Sequence, residues 1–273
     1  MPEPTTLIGV GALAAYLSKD GLQKLLGPTA DYLGAGLKEL TQKRMEAIGQ
    51  IFRNASYKVD GEAKKDQAVP PKVLKHIIED GSFADDGVEI EYLGGVLASS
   101  RSGVSRDNRG ASIASVVTSL SNYQLRLHYL LYATVKHIFN HLPDDFSPDG
   151  RERMTLVIPL QELADAMDFV EEEKNEFERI FQHSVFGLNQ ATLIESNFLY
   201  GPSEFLQARA PGLRVPGFIF TPSIQGIELF LWAFGKGRQP TAAFLDKNFA
   251  AETQGVPLFI EGSAACSTYK QSR

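Results

Sequence analysis

The chain has 273 residues, 43% of them hydrophobic and 22% charged, which is typical of a soluble, folded protein with one large or two small domains. Its net charge of −6 disfavours binding of the chain as a whole to nucleic acid or anionic lipid. The single cysteine, Cys266, excludes an intramolecular disulfide and favours a reducing cytoplasm.

The N-terminal part contains an apolar stretch rich in small residues, "LIGVGALAAYL" at 7–17. No basic residue precedes it, which argues against a secretory signal. A bilayer-spanning helix needs about 20 apolar residues, so this stretch is too short, and we interpret it as a buried helix. Because Gly9 and Gly11 are small for a globular core, insertion into a membrane on activation stays the alternative.

A long amphipathic helix is predicted next, from Pro28 to about Ser56, because leucine and isoleucine recur there at three- and four-residue steps. The stretch "VPPKVLKHIIEDGSFADDGVE" at 69–89 then predicts a helix, a corner and a second helix. Pro70 and Pro71 suit a helix start, while Asp85 and Asp86 suit the start of the next one. These carboxylates therefore have a structural role, and we do not expect catalysis here.

A loop is predicted at 98–112, "ASSRSGVSRDNRGAS", from its serine, glycine and asparagine content. Arg101, Arg106 and Arg109 are candidates there for binding a phosphate or an acidic partner, with ordinary surface arginines as the alternative. Further helices are predicted at 113–120 and 121–142, with Ser121 or Asn122 as the cap of the second.

From residue 121 the predicted order is helix, strand, helix, helix, strand, strand, helix, which is the winged-helix order. The segments after the first helix are "MTLVIP", "LQELADAMDF", "EEEKNEFERIFQHSVFGL", "ATLIESNF", "GFIFTPS" and "IQGIELFLWAFG". We therefore predict a mainly α protein with an N-terminal helical domain at 1–120, a winged-helix-like α+β domain at 121–238 and a tail at 239–273.

The pair His137 and His141 has the spacing of two metal ligands on one helix face, with Asp144 and Asp145 close behind. A zinc-protease motif would need glutamate where Ile138 stands, so we favour two partly exposed histidines at a helix end. Phosphate-loop, dinucleotide and nucleophile-elbow motifs are absent from the sequence. We expect no cofactor and no enzymatic activity.

The predicted recognition helix of the winged-helix part, at 171–186, is acidic. Five glutamates face only Lys174 and Arg179, which gives a net charge of −3. Such a helix repels phosphates, whereas DNA binding requires their neutralisation. We expect a protein-interaction module and no nucleic-acid binding; a DNA-binding regulator remains an alternative because of the arginine loop.

Four segments resemble the Abi-alpha family, a bacterial domain family of unknown function associated by name with abortive phage infection. They are "GPTADYLGAGLKELTQKRMEAI", "VPPKVLKHIIEDGSFADDGVEIEYLGGVLASS", "RGASIASVVTSLSNYQLRLHYLL" and "FTPSIQGIELFLWAFG", which together span about 27–235. The chain departs from the family pattern at Gly94-Gly95, and we expect these glycines to loosen their helix.

The resemblance implies an antiphage protein that acts through self-association or through contacts with a phage or host protein, in the cytoplasm. The alternative is a membrane-active effector that inserts its N-terminal segment, and a DNA-binding regulator is the third hypothesis. The family offers no catalytic residues that could be assigned to this chain.

Overall fold

The computed structural model describes residues 42–59, 67–104, 106–143 and 145–270. The predictions for 1–27, for the first part of the helix from Pro28 and for Asp144 lie outside the described residues. The described chain is mainly helical, with one four-stranded antiparallel sheet. It forms two compact units: the first runs to Ser119 and includes Trp232–Arg238, and the second comprises Leu120–Leu231 and the chain from Gln239 onward.

The first unit is built from helices. They are α1 (Gln42–Lys58), α2 (Pro71–Glu79), α3 (Gly87–Ser99) and α4 (Arg109–Ser119), with a 3₁₀ turn at Gly81–Phe83 between α2 and α3.

The second unit combines helices with the sheet. Its helices are α5 (Asn122–Phe139), α6 (Pro148–Arg153), α7 (Leu160–Met167), α8 (Glu171–Lys174), α9 (Phe177–Gln190), α10 (Ser203–Leu206), α11 (Ile224–Ala233), a 3₁₀ helix (Thr241–Leu245) and α12 (Cys266–Lys270). The last two residues of α11 belong to the first unit. Its strands are β1 (Leu156–Pro159), β2 (Leu199–Gly201), β3 (Gly217–Phe220) and β4 (Ala264–Ala265).

The predicted helix–corner–helix at 69–89 is confirmed. Pro70 is the N-cap of α2, and Val73, Leu74 and Ile77 are buried along one face of that helix. The Asp86 carboxylate accepts hydrogen bonds from the first turn of α3, at 2.7 Å from the Val88 nitrogen. This bond satisfies a backbone donor that the helix start leaves unpaired. Asp86 therefore caps the second helix, as the sequence predicts.

Helix α3 contradicts the expectation that its twin glycines loosen it, because the helix continues to Ser99 and both glycines are buried. A methyl group on Gly94 would lie 2.6 Å from the Asn54 Cβ, and one on Gly95 would lie 1.6 Å from the Ala233 carbonyl oxygen. Hydrogen in place of a side chain is what permits these close approaches.

Helix α5 begins with a capping box formed by Ser121 and Gln124, which confirms the predicted cap. In its middle, the His128 ring is fully buried and stacks on Tyr132, with ring centroids 4.5 Å apart. Burial lowers the pKa of His128 to about 3, so the ring is neutral and can donate from Nε2 to the Gly226 carbonyl at 3.1 Å. This histidine is part of the core, as its apolar context indicates.

The sheet has the strand order β2–β3–β1–β4. Its register places Ile158, Phe218 and Tyr200 side by side on one face, where Phe181 of α9 packs edge-on against Phe218 at 5.5 Å between ring centroids. Successive strand residues point to opposite faces. Val157 and Ile219 therefore lie on the other face, in a separate buried cluster with residues of later segments.

Three sequence predictions in this unit need correction. The predicted strand at 191–198 begins only at Leu199, because Thr192 has a φ of 58° and the chain turns there. The single helix expected at 171–188 is two helices, α8 and α9, interrupted at Asn175–Glu176. The described part of the tail, 239–270, belongs to the second unit, and its residues Phe244 and Phe249 are buried.

Candidate protein-interaction surface

The acidic stretch at 171–178 presents its charges to solvent. Lys174 of the stretch lies 2.8 Å from a Glu171 oxygen, and Arg179, which follows it directly, lies 3.1 Å from a Glu176 oxygen. The hydrogen bond with Lys174 lowers the pKa of Glu171, and that with Glu171 raises the pKa of Lys174, so both remain charged at neutral pH. The cations are thus offset locally, and the net charge of the stretch remains negative.

The connection between β2 and β3, residues 202–216, folds back onto the sheet. Leu206, Ala210 and Leu213 are buried in one cluster with Val157 and Ile219. Burial of three apolar side chains holds this connection in place at a gain of about 1.5–3 kcal/mol for each large one.

Polar contacts hold the same connection from outside. The Arg209 guanidinium donates to a Glu152 carboxylate oxygen at 2.7 Å and to the Asn197 carbonyl at 2.9 Å. The Gly212 nitrogen donates to the Tyr269 carbonyl at 3.3 Å. The connection therefore packs against the sheet and does not project into solvent as a hairpin would.

An exposed aromatic side chain lies on the outer face of α9. Phe186 is 52% exposed and contacts Phe198 edge-on at 5.6 Å and Tyr200 at 6.4 Å between ring centroids. Aromatic residues are enriched in protein–protein interfaces, where the ring is removed from water. This position is thus suited to a protein contact.

A cavity of about 620 Å³ opens where α7, α8 and α9 meet. We call it the α7–α9 cleft, and it is lined by Leu160, Gln161, Ala164, Asp165, Asp168, Phe169, Lys174 and Phe177. Its aromatic walls are ordered by neighbouring rings, with Phe169 edge-on to Phe177 at 5.8 Å and in contact with Tyr123 at 6.2 Å. The volume lies within the range of protein ligand clefts.

The carboxylates of the cleft have few partners among the described side chains. Asp165 accepts a hydrogen bond from the Gln161 amide at 3.0 Å. Asp168 ends α7 in the left-handed conformation, with a φ of 55°. Among the described residues it forms one ion pair, a long one of 3.9 Å to the largely buried Arg126. Arg126 itself donates to the Ala166 carbonyl. Both aspartates can thus receive an additional donor.

A second cavity of about 460 Å³ lies on the other side of α7 and shares Asp165 with the cleft. Glu162 and Glu261 also line it, together with the apolar side chains of Leu258 and Phe259. Successive side chains of a helix are rotated by about 100° around its axis, so the two cavities involve different sides of α7. Asp165 lines both cavities and therefore lies between them. The exposed side of α7 is therefore flanked by acidic and apolar walls.

The three arginines predicted as a partner site differ in their placement. Arg101 is only 5% exposed, and burial lowers its pKa, so it is not part of an open surface. Arg109 makes two hydrogen bonds to Asp107 at 2.9 and 3.0 Å, which hold the pKa of that carboxyl well below its usual range. Arg106 is exposed. The three arginines therefore do not form a single exposed binding site.

The proposed histidine pair does not share a helix face. Helix α5 ends at Phe139, so His141 lies beyond it, and the same-face argument does not apply. The exposed His137 ring stacks on Phe259 at 3.9 Å between ring centroids. Among the residues that the structure describes, no three His, Cys, Asp or Glu side chains are grouped as metal ligands would be.

In the first unit, a cavity of about 450 Å³ is lined by Asp80, Phe83, Glu89, Ser115, Thr118 and Ser119. Burial and then the charges of Asp85 and Asp86 raise the pKa of Glu89 to about 7.

Neither this cavity nor the α7–α9 cleft was predicted from the sequence. The only local signal for the cleft is the combination of aspartates and phenylalanines around the junction of two predicted helices at 165–177.

In the described ranges, no helix combines the length and the apolar character required to cross a bilayer. Comparison of the chain with protein-family models, with curated proteins and with solved structures found no match.

Proposed function

We propose that this chain is a non-catalytic binding protein of antiphage defence, and that its second unit is a winged-helix-like module that contacts protein. The observation that carries the proposal is the acidic stretch at 171–178, which comprises α8 and leads into α9, the helix that corresponds in order to the recognition helix of a winged-helix protein. The element order and the pairing of β1 with β3 and of β3 with β2 support the winged-helix comparison.

Two features disfavour DNA as the partner. A recognition helix in the major groove lies between phosphates, and the five glutamates in α8 and at the start of α9 would add repulsion beside it, where binding requires neutralisation. The β2–β3 connection, which would form the wing, is buried on the sheet through Leu206 and Leu213. The exposed Phe186 and the cavities beside α7 favour a protein partner.

The antiphage role and a cytoplasmic location are parts of the proposal that rest on the resemblance to the Abi-alpha family. Self-association or a phage or host protein would supply the partner. The residues 1–27 of the alternative membrane mechanism lie outside the described chain, and no described contact favours that alternative.

DNA binding is tested by anisotropy of a fluorescent duplex titrated with the full-length protein at about 150 mM salt. We expect no sub-micromolar binding, because the exposed charge at 171–178 is negative. Sub-micromolar binding that weakens with salt and is lost in Arg106→Ala would overturn the proposal in favour of a regulator. Arg106 suits this test because it is exposed.

The antiphage role is tested by phage plating on cells with and without the gene. We expect fewer plaques in its presence, and loss of that protection in Phe186→Ser, which removes the exposed aromatic ring on α9. Equal plating with and without the parent gene would refute the role. The Phe205→Ser variant is the matched control, because Phe205 is also exposed but lies on α10.

A further inference from the structure

The α7–α9 cleft combines aromatic walls with carboxylates that can accept further hydrogen bonds. Phe169 and Phe177 supply the walls, and Asp165 and Asp168 supply the carboxylates. Among the described lining residues the cation is Lys174, which is offset by Glu171 at 2.8 Å. A ligand in this cleft therefore meets a negative field beside the faces or edges of two rings.

Among protein side chains, arginine matches this combination most closely. Its guanidinium is planar, stacks on aromatic rings and donates to carboxylates through several N–H groups at once. Lysine carries the same charge, but its ammonium group is not planar and cannot stack on a ring. Phosphate or carboxylate ligands would be repelled by the two aspartates.

Charge beyond the cleft indicates that the arginine belongs to a longer basic segment. The exposed Glu172 and Glu178 continue the negative surface along α8 and α9, and Glu162 and Glu261 continue it on the other side of Asp165. A free amino acid would occupy the cleft alone, whereas a basic segment of a partner would also gain from these flanking charges.

We infer that the α7–α9 cleft binds an arginine side chain on a basic segment of a partner protein, with the guanidinium on Asp165 and Asp168 and its plane against Phe169 or Phe177. The inference rests on the proposed function, because it names the chemistry of the partner.

The test is a fluorescence-polarisation titration of the full-length protein with a labelled nonapeptide of alternating arginine and glycine at about 50 mM salt. We expect saturable micromolar binding and an affinity several-fold weaker for the lysine version of the peptide. The double variant Asp165→Asn, Asp168→Asn should weaken binding by about 10-fold or more, as for the loss of charge-assisted hydrogen bonds. Asparagine tolerates the left-handed conformation at residue 168, so the fold is preserved.

The matched control is Glu172→Gln, Glu178→Gln, which removes the same charge from exposed residues outside the lining. We expect it to weaken binding by less than about 3-fold, because these carboxylates add long-range attraction but do not line the cleft. An equal loss in both double variants would overturn the inference, since it would show attraction to charge alone. So would absence of binding, equal binding of the lysine peptide, or equally tight binding of free arginine.

Phage plating with the parent gene, read beside the peptide titration, separates this inference from the proposed function. If the arginine peptide fails to bind while the parent gene protects cells, the assignment of the cleft is wrong and the proposed function stands. If the peptide binds through the cleft while the parent gene gives no protection, the antiphage role is wrong and the cleft remains a binding site.

Discussion

The contact between Gly95 of α3 and the Ala233 backbone provides a sharp test of the first unit. In Gly95→Ala, the added methyl group would lie 1.6 Å from the Ala233 carbonyl oxygen and 2.8 Å from that of Trp232, whereas real Cβ contacts stay beyond 3.0 Å. The obstacle is backbone, which cannot rotate away as a flexible side chain can. The two segments would have to separate by a further 1.4 Å, the difference between 1.6 and 3.0 Å.

The expected cost follows from two opposing terms. Overpacking of this kind costs about 3 kcal/mol or more, because the clash involves backbone. Alanine offsets about 1 kcal/mol of that through its higher helix propensity. We therefore expect Gly95→Ala to lower the free energy of unfolding of the first unit by about 2 kcal/mol.

Trp232 is the single tryptophan of the chain and is 1% exposed, so its fluorescence reports unfolding at the contact itself. With a slope of about 4 kcal/mol per molar in guanidinium chloride, a loss of about 2 kcal/mol lowers the midpoint by about 0.5 M.

The matched control is Gly87→Ala, because Gly87 begins the same helix and an added methyl group there meets nothing within 4 Å. It should unfold at the parent's midpoint or slightly above it. A Gly95→Ala midpoint equal to or above that of the parent would refute the packing argument.

Two further predictions concern the same unit. Ile77→Asp should lower its free energy of unfolding by about 3 kcal/mol or more, because the residue is fully buried and the new charge would be unpaired. Lys75→Asp, on the exposed side of α2, should change the melting temperature little. Equal melting temperatures of the two variants would show that the buried face of α2 is wrongly assigned. The pKa of Glu89 is raised to about 7 by burial and by Asp85 and Asp86, so the stability that its protonation supplies is complete below about pH 4.5 and is lost as the pH rises through about 7. The free energy of unfolding of Glu89→Gln should therefore equal that of the parent at pH 4 and exceed it by about 1 kcal/mol at pH 8, which is less than the full linkage value because solvent screens the partly exposed carboxyl. The same difference at both pH values would exclude titration of Glu89 as its cause.

The sequence alone determined the features whose signals are local. Pro70 and Asp86 mark helix boundaries because a missing N–H group and a capping carboxylate act within one helical turn. The capping box of Ser121 and Gln124 is equally local. The negative charge of 171–178 also follows from composition, since charges on a short segment stay together however the chain folds.

Contacts between residues that are distant in the chain could not be predicted from any one segment. Gly95 looks like a weak point of a helix until the Ala233 carbonyl is found against it. Arg101 looks like a surface residue until its loop is packed, and the connection at 202–216 looks like a projecting wing until Leu206 and Leu213 are buried. The physical reason is that burial is a property of the partners that cover a residue. Those partners come from other segments, so neither spacing nor composition within one segment specifies them.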